Sequence, residues 1–487
     1  MKMVLTSTYE FHLPLLALVT LGSLYFVVWY LNFKPGKKLL PGSLGYPLIG
    51  ESIGFLRALK KDACWEWIES HVQKYGPVFK SSLMGKRVAV LTGPAGTKFI
   101  LSTQDGIVNN QSLSASTIFG KKCLLEFEGS RHKLLKGAMM NMLRPERLQK
   151  VIGEMDSIVQ RELLQELKGK DSVQFVTLIS KIVFSFTCTI LFRLPEGGLD
   201  NVGLHVEDLR IAARGILSIP LNIPGSTFRK ACQARARICK VLSHLIETKK
   251  AEMEKGKTDD IVTSFLNVRD EVGKPVPEEE IIDNLMLLLI ASNDTTTSLL
   301  TLFLRYLGRD AHVYNKVVEE QKEVYKMRVG NNDGKIQWSE IQSMKYTWSV
   351  AQEVMRLTPP AGGTTRRTTK DISFAGFDIP KGWRLLWLAL NTNMDAKFFE
   401  EPEKFDPSRF EKSPSKSAPP PYTYLPFGAG MRICPGSEFA RVEILLIIHY
   451  LIINYQWTPM ILNEPIASDP NPFPAMGLPV KLHPRLI

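Results

Sequence analysis

At 487 residues the chain exceeds an ordinary single domain, yet no internal repeat or low-complexity block divides it into an array. Hydrophobic residues at 44% against 23% charged exclude global disorder and supply a sizeable core. A formal net charge of +12 admits a membrane surface, an acidic protein or a nucleic acid as partner, but no nucleic-acid-reading motif accompanies it.

Lys and Arg are scattered, with clusters at Lys121 and Lys122 and at Arg229, Lys230, Arg235, Arg237 and Lys240 that read first as solvated faces. Six irregularly spaced cysteines without a Cys-x-x-Cys pair give neither a disulfide scaffold nor a zinc site, and they point to a reducing compartment.

Residues 13–33, LPLLALVTLGSLYFVVWYLNF, are apolar over a length that crosses the hydrocarbon core at helical rise, which predicts a single transmembrane helix. Lys34, Lys37 and Lys38 follow at once, so the positive-inside rule places the body in the cytosol. A cleaved signal peptide is the competing reading; the long apolar run, the basic cluster behind it and the lack of a small-x-small site oppose it. In LPGSLGYPLIG (residues 40–50) two prolines and three glycines stop helix and strand alike and predict a stiff hinge. The expected division is an anchor over 1–33, a basic, Pro/Gly-rich hinge over 34–50 and one large domain over 51–487.

Pro277 followed by Glu278, Glu279 and Glu280 signals a helix start, since proline suits the first turn and carboxylates favour the positive end of the dipole. Apolar residues dominate through Ala291, resume at Leu299 and stop near Gly308, giving a helix of about 30 residues and roughly 45 Å. Seven consecutive polar residues, Ser292 to Ser298, interrupt it and compete for backbone hydrogen bonds. Two readings stay open: the helix breaks into a loop there, or a groove in a buried helix sets an acid and an alcohol to deliver protons.

A second helix, TWSVAQEVMRL, sets Glu353 and Arg356 three residues apart on one face, as an ordinary surface ion pair also would. Pro359 and Pro360 end it, IPKGWRLLWLAL has the composition and turn of a short sheet, and FDPSRF offers Arg409 to a carboxylate.

FGAGMRICPG, residues 427–436, precedes the helical run SEFARVEILLIIHYLIINY. Glycines 428, 430 and 436 let the backbone approach a flat ligand. Cys434 stands just before the helix start, where free amides and the dipole lower a thiol pKa, and Arg432 is placed to pair with an acidic group of a ligand. A lone cysteine is by default a buried small hydrophobe. A dinucleotide-binding glycine loop fails, because Ile433 occupies the place of its third glycine.

This segment resembles the Phe-x-x-Gly-x-Arg-x-Cys-x-Gly signature of cytochrome P-450 enzymes at every fixed position, a match expected by chance in roughly one chain in ten thousand or fewer. The resemblance runs in order and spacing from Leu40 to the C-terminus. It implies a mainly α fold with a smaller β-rich part, a long central helix, and a cysteine loop beneath haem (heme b). Cys434 would be the axial iron ligand, with Phe427 and Gly436 against the cofactor and Arg366 and Arg432 on its propionates. Glu353, Arg356 and Arg409 match the family's structural triad, and residues 291–296 match the oxygen-activation motif, with Asp294 as acid and Thr295 as alcohol. In this setting the domain over 51–487 is the haem-thiolate catalytic domain.

The chain departs from the pattern at four positions. Ser292 stands for a glycine that opens the helix toward oxygen. His132 and Lys136 stand for Trp and Arg near the haem and would bind a propionate without a planar fork. Asn393 replaces a frequent His.

LPGSLGYPLIGES, GPAG, SMKYTWSVAQEVMRLTPP and PYTYLPFGAG are similar to the plant clan of brassinosteroid, triterpenoid and taxane hydroxylases. That likeness implies terpenoid biosynthesis in plant secondary metabolism: one oxygen atom of O2 inserted into a hydrophobic terpenoid or sterol-like substrate. Electrons would come from NADPH through a membrane-bound reductase, with the protein on the endoplasmic reticulum membrane, single-pass and facing the cytosol. Pocket walls are expected at Ile118 and Phe119, Leu288 and Ala291, Ala361, Thr364 and Thr365, and Met476. Two rivals remain: a haem-thiolate isomerase or dehydratase without external O2, which Asp294 and Thr295 oppose, and a membrane-tethered haem or terpenoid binder without turnover, which Ser292 keeps open.

Overall fold

A computed structural model describes residues 18–23, 25–26, 38–46, 49–61, 63–194, 203–256, 259–330, 334–411 and 419–485. The helices that build the site are α1 (Leu113–Phe119), α2 (Gly129–Leu143), α3 (Pro145–Leu167), α4 (Phe175–Phe192), α5 (Val206–Arg214), α6 (Thr227–Glu254), α7 (Glu278–Leu307), α8 (Ala311–Val329), α9 (Lys345–Leu357) and α10 (Ser437–Asn454).

The expected long helix is α7, 30 residues without interruption, with Pro277 as N-cap and Gly308 as C-cap. The polar run does not break it, because several side chains in and just after it find acceptors that leave the ladder intact, although the buried Thr297 hydroxyl has no partner among the described residues. Thr295 and Thr301 donate to carbonyls one turn back, at 2.7 Å to Ala291 and 2.8 Å to Thr297. Ser298 donates to the Pro472 carbonyl at 2.6 Å, and Asn293 to the Ser180 hydroxyl of α4 at 3.3 Å. Helices α4, α5, α6, α9 and α10 all pack on α7, and this burial overrides weak local propensity.

Helices α4 and α7 are long and apolar enough to cross a bilayer, but their apolar windows are 78% and 83% buried, which makes them core helices. Most of the expected transmembrane segment lies outside the described residues; residues 18–23 and 25–26 are helical, with Leu18, Val19, Leu21 and Phe26 exposed.

The main sheet contains β1 (Val78–Leu83), β2 (Lys86–Leu91), β3 (Ile107–Asn109), β4 (Gly363–Thr368) and β5 (Arg384–Leu388) in the order β1-β2-β5-β4-β3. Strand β5 pairs parallel with β2, Val88 opposite Arg384, and antiparallel with β4, Gly363 opposite Leu388. IPKGWRLLWLAL, read as part of a short sheet, contributes to two. Its Ile379 ends the strand Phe377–Ile379, which pairs with Ile372–Phe374, and the turn then carries the chain into the main sheet. Leu385, Leu386 and Trp387 are all buried, as a central strand covered on both faces requires.

The Pro/Gly-rich segment lies along β1. Lys80 N–H donates to the Pro41 carbonyl at 2.7 Å, and Glu51 N–H to that of Ser82 at 2.8 Å. Leu40 is buried, and a Cβ on Gly42, whose φ is +131°, would overlap the Lys80 carbonyl.

Candidate functional site

Residues 427–436 fold as a compact loop closed by Cys434 N–H donating to the Phe427 carbonyl at 2.9 Å. Gly428 and Gly430 hold φ of +74° and +68°, and a Cβ on Gly430 would lie 2.6 Å from the Leu101 carbonyl oxygen. Gly436 is the N-cap of α10, and its amide faces the Cys434 thiol. The helix start acts on the thiol as expected, but burial outweighs it: the Cys434 pKa is raised by desolvation, with the Gly436 amide and the Lys136 ammonium opposing. The sulfur is crowded by protein yet remains accessible from a cavity of about 420 Å³ that also touches His132, Lys136, Met431 and Ile433.

Lys136 donates to the carbonyls of Met431 at 2.8 Å and Ile433 at 2.9 Å. It thus ties α2 to the cysteine loop. His132, on the same helix, is buried, and its Nδ1 has no hydrogen-bond partner among the described residues. Burial, then the charges of Arg432 and Lys136, hold the His132 pKa down at about 4.

Arg366 of β4 is buried as well, its pKa lowered to about 10 by desolvation and by repulsion from Arg432. Arg366 donates to Asn109 Oδ1 at 2.6 Å, and Arg432 to the Leu124 carbonyl at 3.0 Å and to the Phe127 carbonyl. Glu128 pairs with Arg432 at 2.7 Å. Two mutually repelling guanidiniums, an orphaned imidazole nitrogen and a lysine, opposed by one carboxylate, make a cradle for a dianionic edge beside a cysteine. These residues fit a haem.

On α7, Ala291 is exposed and Ser292 and Thr295 half-buried, whereas Asp294 is buried. Burial lifts the Asp294 pKa to about 6, against the Asn293 side chain and the charges of Arg210 and Arg214 on α5. Neither arginine carried a sequence signal, since nothing local links α5 to α7.

Ala361 and Met476 are exposed, Phe119 is half-buried, and Leu288 and Ile118 are buried, Ile118 wholly within the main core. Thr364 accepts from Arg366 at 2.9 Å, and Thr365 donates to the Asn110 carbonyl at 2.9 Å, so both hydroxyls have protein partners. Neither these seven residues nor Ala291 lines the 420 Å³ cavity, which lies on the cysteine-loop side.

Glu353 and Arg356 form a bidentate pair, 2.7 Å at each contact, with both side chains fully buried. Arg409 stands 3.5 Å from the same carboxylate, and Arg356 also donates to the carbonyls of Asn393, Pro402 and Lys404. This is a buried clamp, not a surface ion pair.

The family model of cytochrome P-450 matches residues 40–483. Taxane 13-alpha-hydroxylase of Taxus cuspidata is 36% identical over 480 residues, 97% of this chain and 98% of that protein. Beta-amyrin 28-monooxygenase of Vitis vinifera is 37% identical over 455 residues, 92% of this chain and 93% of that one. Among solved structures, a cyanobacterial cytochrome P-450 with retinoic acid bound superposes with a TM-score of 0.82 at 29% identity, covering 92% of this chain and all of the other. The chain belongs to the cytochrome P-450 family. It is a haem-dependent monooxygenase whose cofactor iron is bound by cysteine.

Proposed function

We propose that the protein hydroxylates a terpenoid, with Cys434 as the iron ligand and with electrons delivered from NADPH by a reductase. The observation that carries this reading is the cysteine loop set beside the repelling guanidiniums of Arg366 and Arg432, with the His132 Nδ1 next to them lacking a partner among the described residues. Names of relatives that act on taxanes and beta-amyrin support the substrate class, a hydrophobic polycycle. The apolar run over 13–33 and the lysines after it support anchorage in the endoplasmic reticulum membrane, with the body in the cytosol.

When bound, haem supplies the activation of O2 and the attack on an unreactive C–H bond. The chain's own part is to hold it and to manage protons. Arg366 and Arg432 would neutralise the propionates, the neutral His132 ring would offer a hydrogen bond, and Lys136 fixes the carbonyls on either side of Arg432. Asp294, with a pKa near neutrality, takes a proton from the Arg210 and Arg214 side of α7, and Thr295 passes it toward the reacting face. Ala291 leaves room on that face for a bulky substrate carbon.

The carbon monoxide difference spectrum of reduced membranes containing the full chain tests the ligand. The long-wavelength Soret band of thiolate ligation is expected, and its loss in Cys434→Ala. Retention of that band in the variant would sink the assignment. Titration with beta-amyrin and with a taxane, then turnover with NADPH and a plant reductase, tests the substrate class; product from neither probe would count against it.

A further inference from the structure

We infer that Asn284 of α7 is a positioning residue for the cofactor cradle, acting on Arg432 through the backbone of Leu124. The inference rests on the haem-thiolate reading above and concerns a residue outside the cradle itself.

The connection runs through one buried backbone unit. Leu124 N–H donates to Asn284 Oδ1 at 2.8 Å, while the Leu124 carbonyl accepts from Arg432 Nη1 at 3.0 Å. The two peptide groups that flank the Leu124 Cα thus join α7 to the cysteine loop, one held by Asn284 and the next by Arg432. Asn284 is itself immobilised: it is fully buried, and its Nδ2 donates to the carbonyls of Lys122 at 3.2 Å and Glu280 at 2.7 Å. The neighbouring Asp283 accepts the Lys122 N–H at 3.0 Å. A Cβ on Gly120 would overlap the Asp283 carboxylate, so the loop after α1 is seated against α7 as closely as a glycine allows.

The loop so held supplies the acceptors of Arg432 and braces Asn109, one of the acceptors of Arg366. Arg432 is also met by the Phe127 carbonyl and the Glu128 carboxylate. Arg366 donates to Asn109 Oδ1, and Asn109 Nδ2 in turn donates to the Leu125 carbonyl. Guanidiniums that repel one another need fixed acceptors to stay convergent; residues 124–128 provide those of Arg432 and hold Asn109 for Arg366. Asn284 and Asp283 are what that loop rests on.

The test measures haem transfer from the purified full-length holoprotein to apomyoglobin, together with the reduction potential of the folded fraction. Replacing an outer-shell partner typically costs 10- to 100-fold in binding of the held group, so Asn284→Leu, which leaves the Leu124 N–H unpaired, should release haem roughly 10-fold faster or more. Asn284→Asp keeps an acceptor for that N–H and should restore most of the retention; Asn284→Ala replaces the leucine variant if that does not fold. In an Arg432→Lys background the Asn284 substitution should add little, because its effect passes through Arg432. Unchanged release and potential in folded Asn284→Leu would overturn the inference, as would full additivity with Arg432→Lys. The thiolate spectrum of the unsubstituted protein separately tests the haem reading, so the two failures are distinguishable.

Discussion

Asn393 and Arg356 hold each other's backbone: Asn393 Nδ2 donates to the Arg356 carbonyl at 3.0 Å, and Arg356 Nη1 donates to the Asn393 carbonyl at 2.8 Å. Both side chains are buried, so neither group can exchange its partner for water. Asn393→Ala should therefore cost about 1–3 kcal/mol by leaving the carbonyl at the end of α9 unpaired. Chemical denaturation of the full chain measures this, and the thiolate spectrum should stay unchanged in the folded fraction.

The Glu353–Arg356 pair should be far less tolerant. Glu353→Gln removes the counter-charge of a guanidinium with no exposure and should cost about 3–5 kcal/mol. Arg409→Lys, at a contact of 3.5 Å, should cost clearly less. Equal losses in soluble, haem-loaded yield would contradict this ranking.

Asp294 links stability to pH. Its folded-state pKa, about 6, lies above the ordinary 3.8, so folding favours the protonated acid. The stabilisation is full below about pH 4 and is lost as pH rises through about 6. At about 1.4 kcal/mol per pH unit, the change is at most about 3 kcal/mol. Asp294→Asn should flatten the pH dependence of unfolding over that window and slow product formation at neutral pH.

Thr295 donates to the Ala291 carbonyl at 2.7 Å, one turn back. Thr295→Ala should keep the haem while cutting product formation by roughly 100-fold, the electrons appearing as peroxide, and Thr295→Ser should recover most of it. Fully coupled turnover in the alanine variant would remove Thr295 from the proton path.

Lys136→Met would release the Met431 and Ile433 carbonyls together. The expected loss is about 1–3 kcal/mol in stability, with a lower fraction of thiolate-type spectrum per mole of haem. Lys136→Arg should restore part of both.

Local patterns in the sequence revealed what depends on neighbours in the chain. The start at Pro277, the stop at Gly308, the cysteine loop and the Glu353–Arg356 spacing all belong to one segment each, and each forms as read. The continuity of α7 through Ser292 to Ser298 was left open because it depends on acceptors in α4 and near Pro472. Asn393 had no legible role, since its partner lies 37 residues away. The same holds for Glu128 beside Arg432 and for the separation of β5 from its neighbouring hairpin. At Cys434 the expected dipole effect is present but smaller than the desolvation that only three-dimensional packing reveals.

In the segment from Leu40 to Glu51, the bonds from Lys80 to Pro41 and from Glu51 to Ser82 clamp the backbone to β1, and Asp378 N–H, donating to the Lys38 carbonyl, ties it to the separate strand pair, all before the first helix of the body begins. Whatever pulls on the chain ahead of residue 38 is therefore transmitted to the sheet, not absorbed by slack. The point of application is where the backbone meets β1. A version shortened to begin at residue 51 would lose that edge contact and expose the flank of β1, whereas one beginning at residue 38 would keep it.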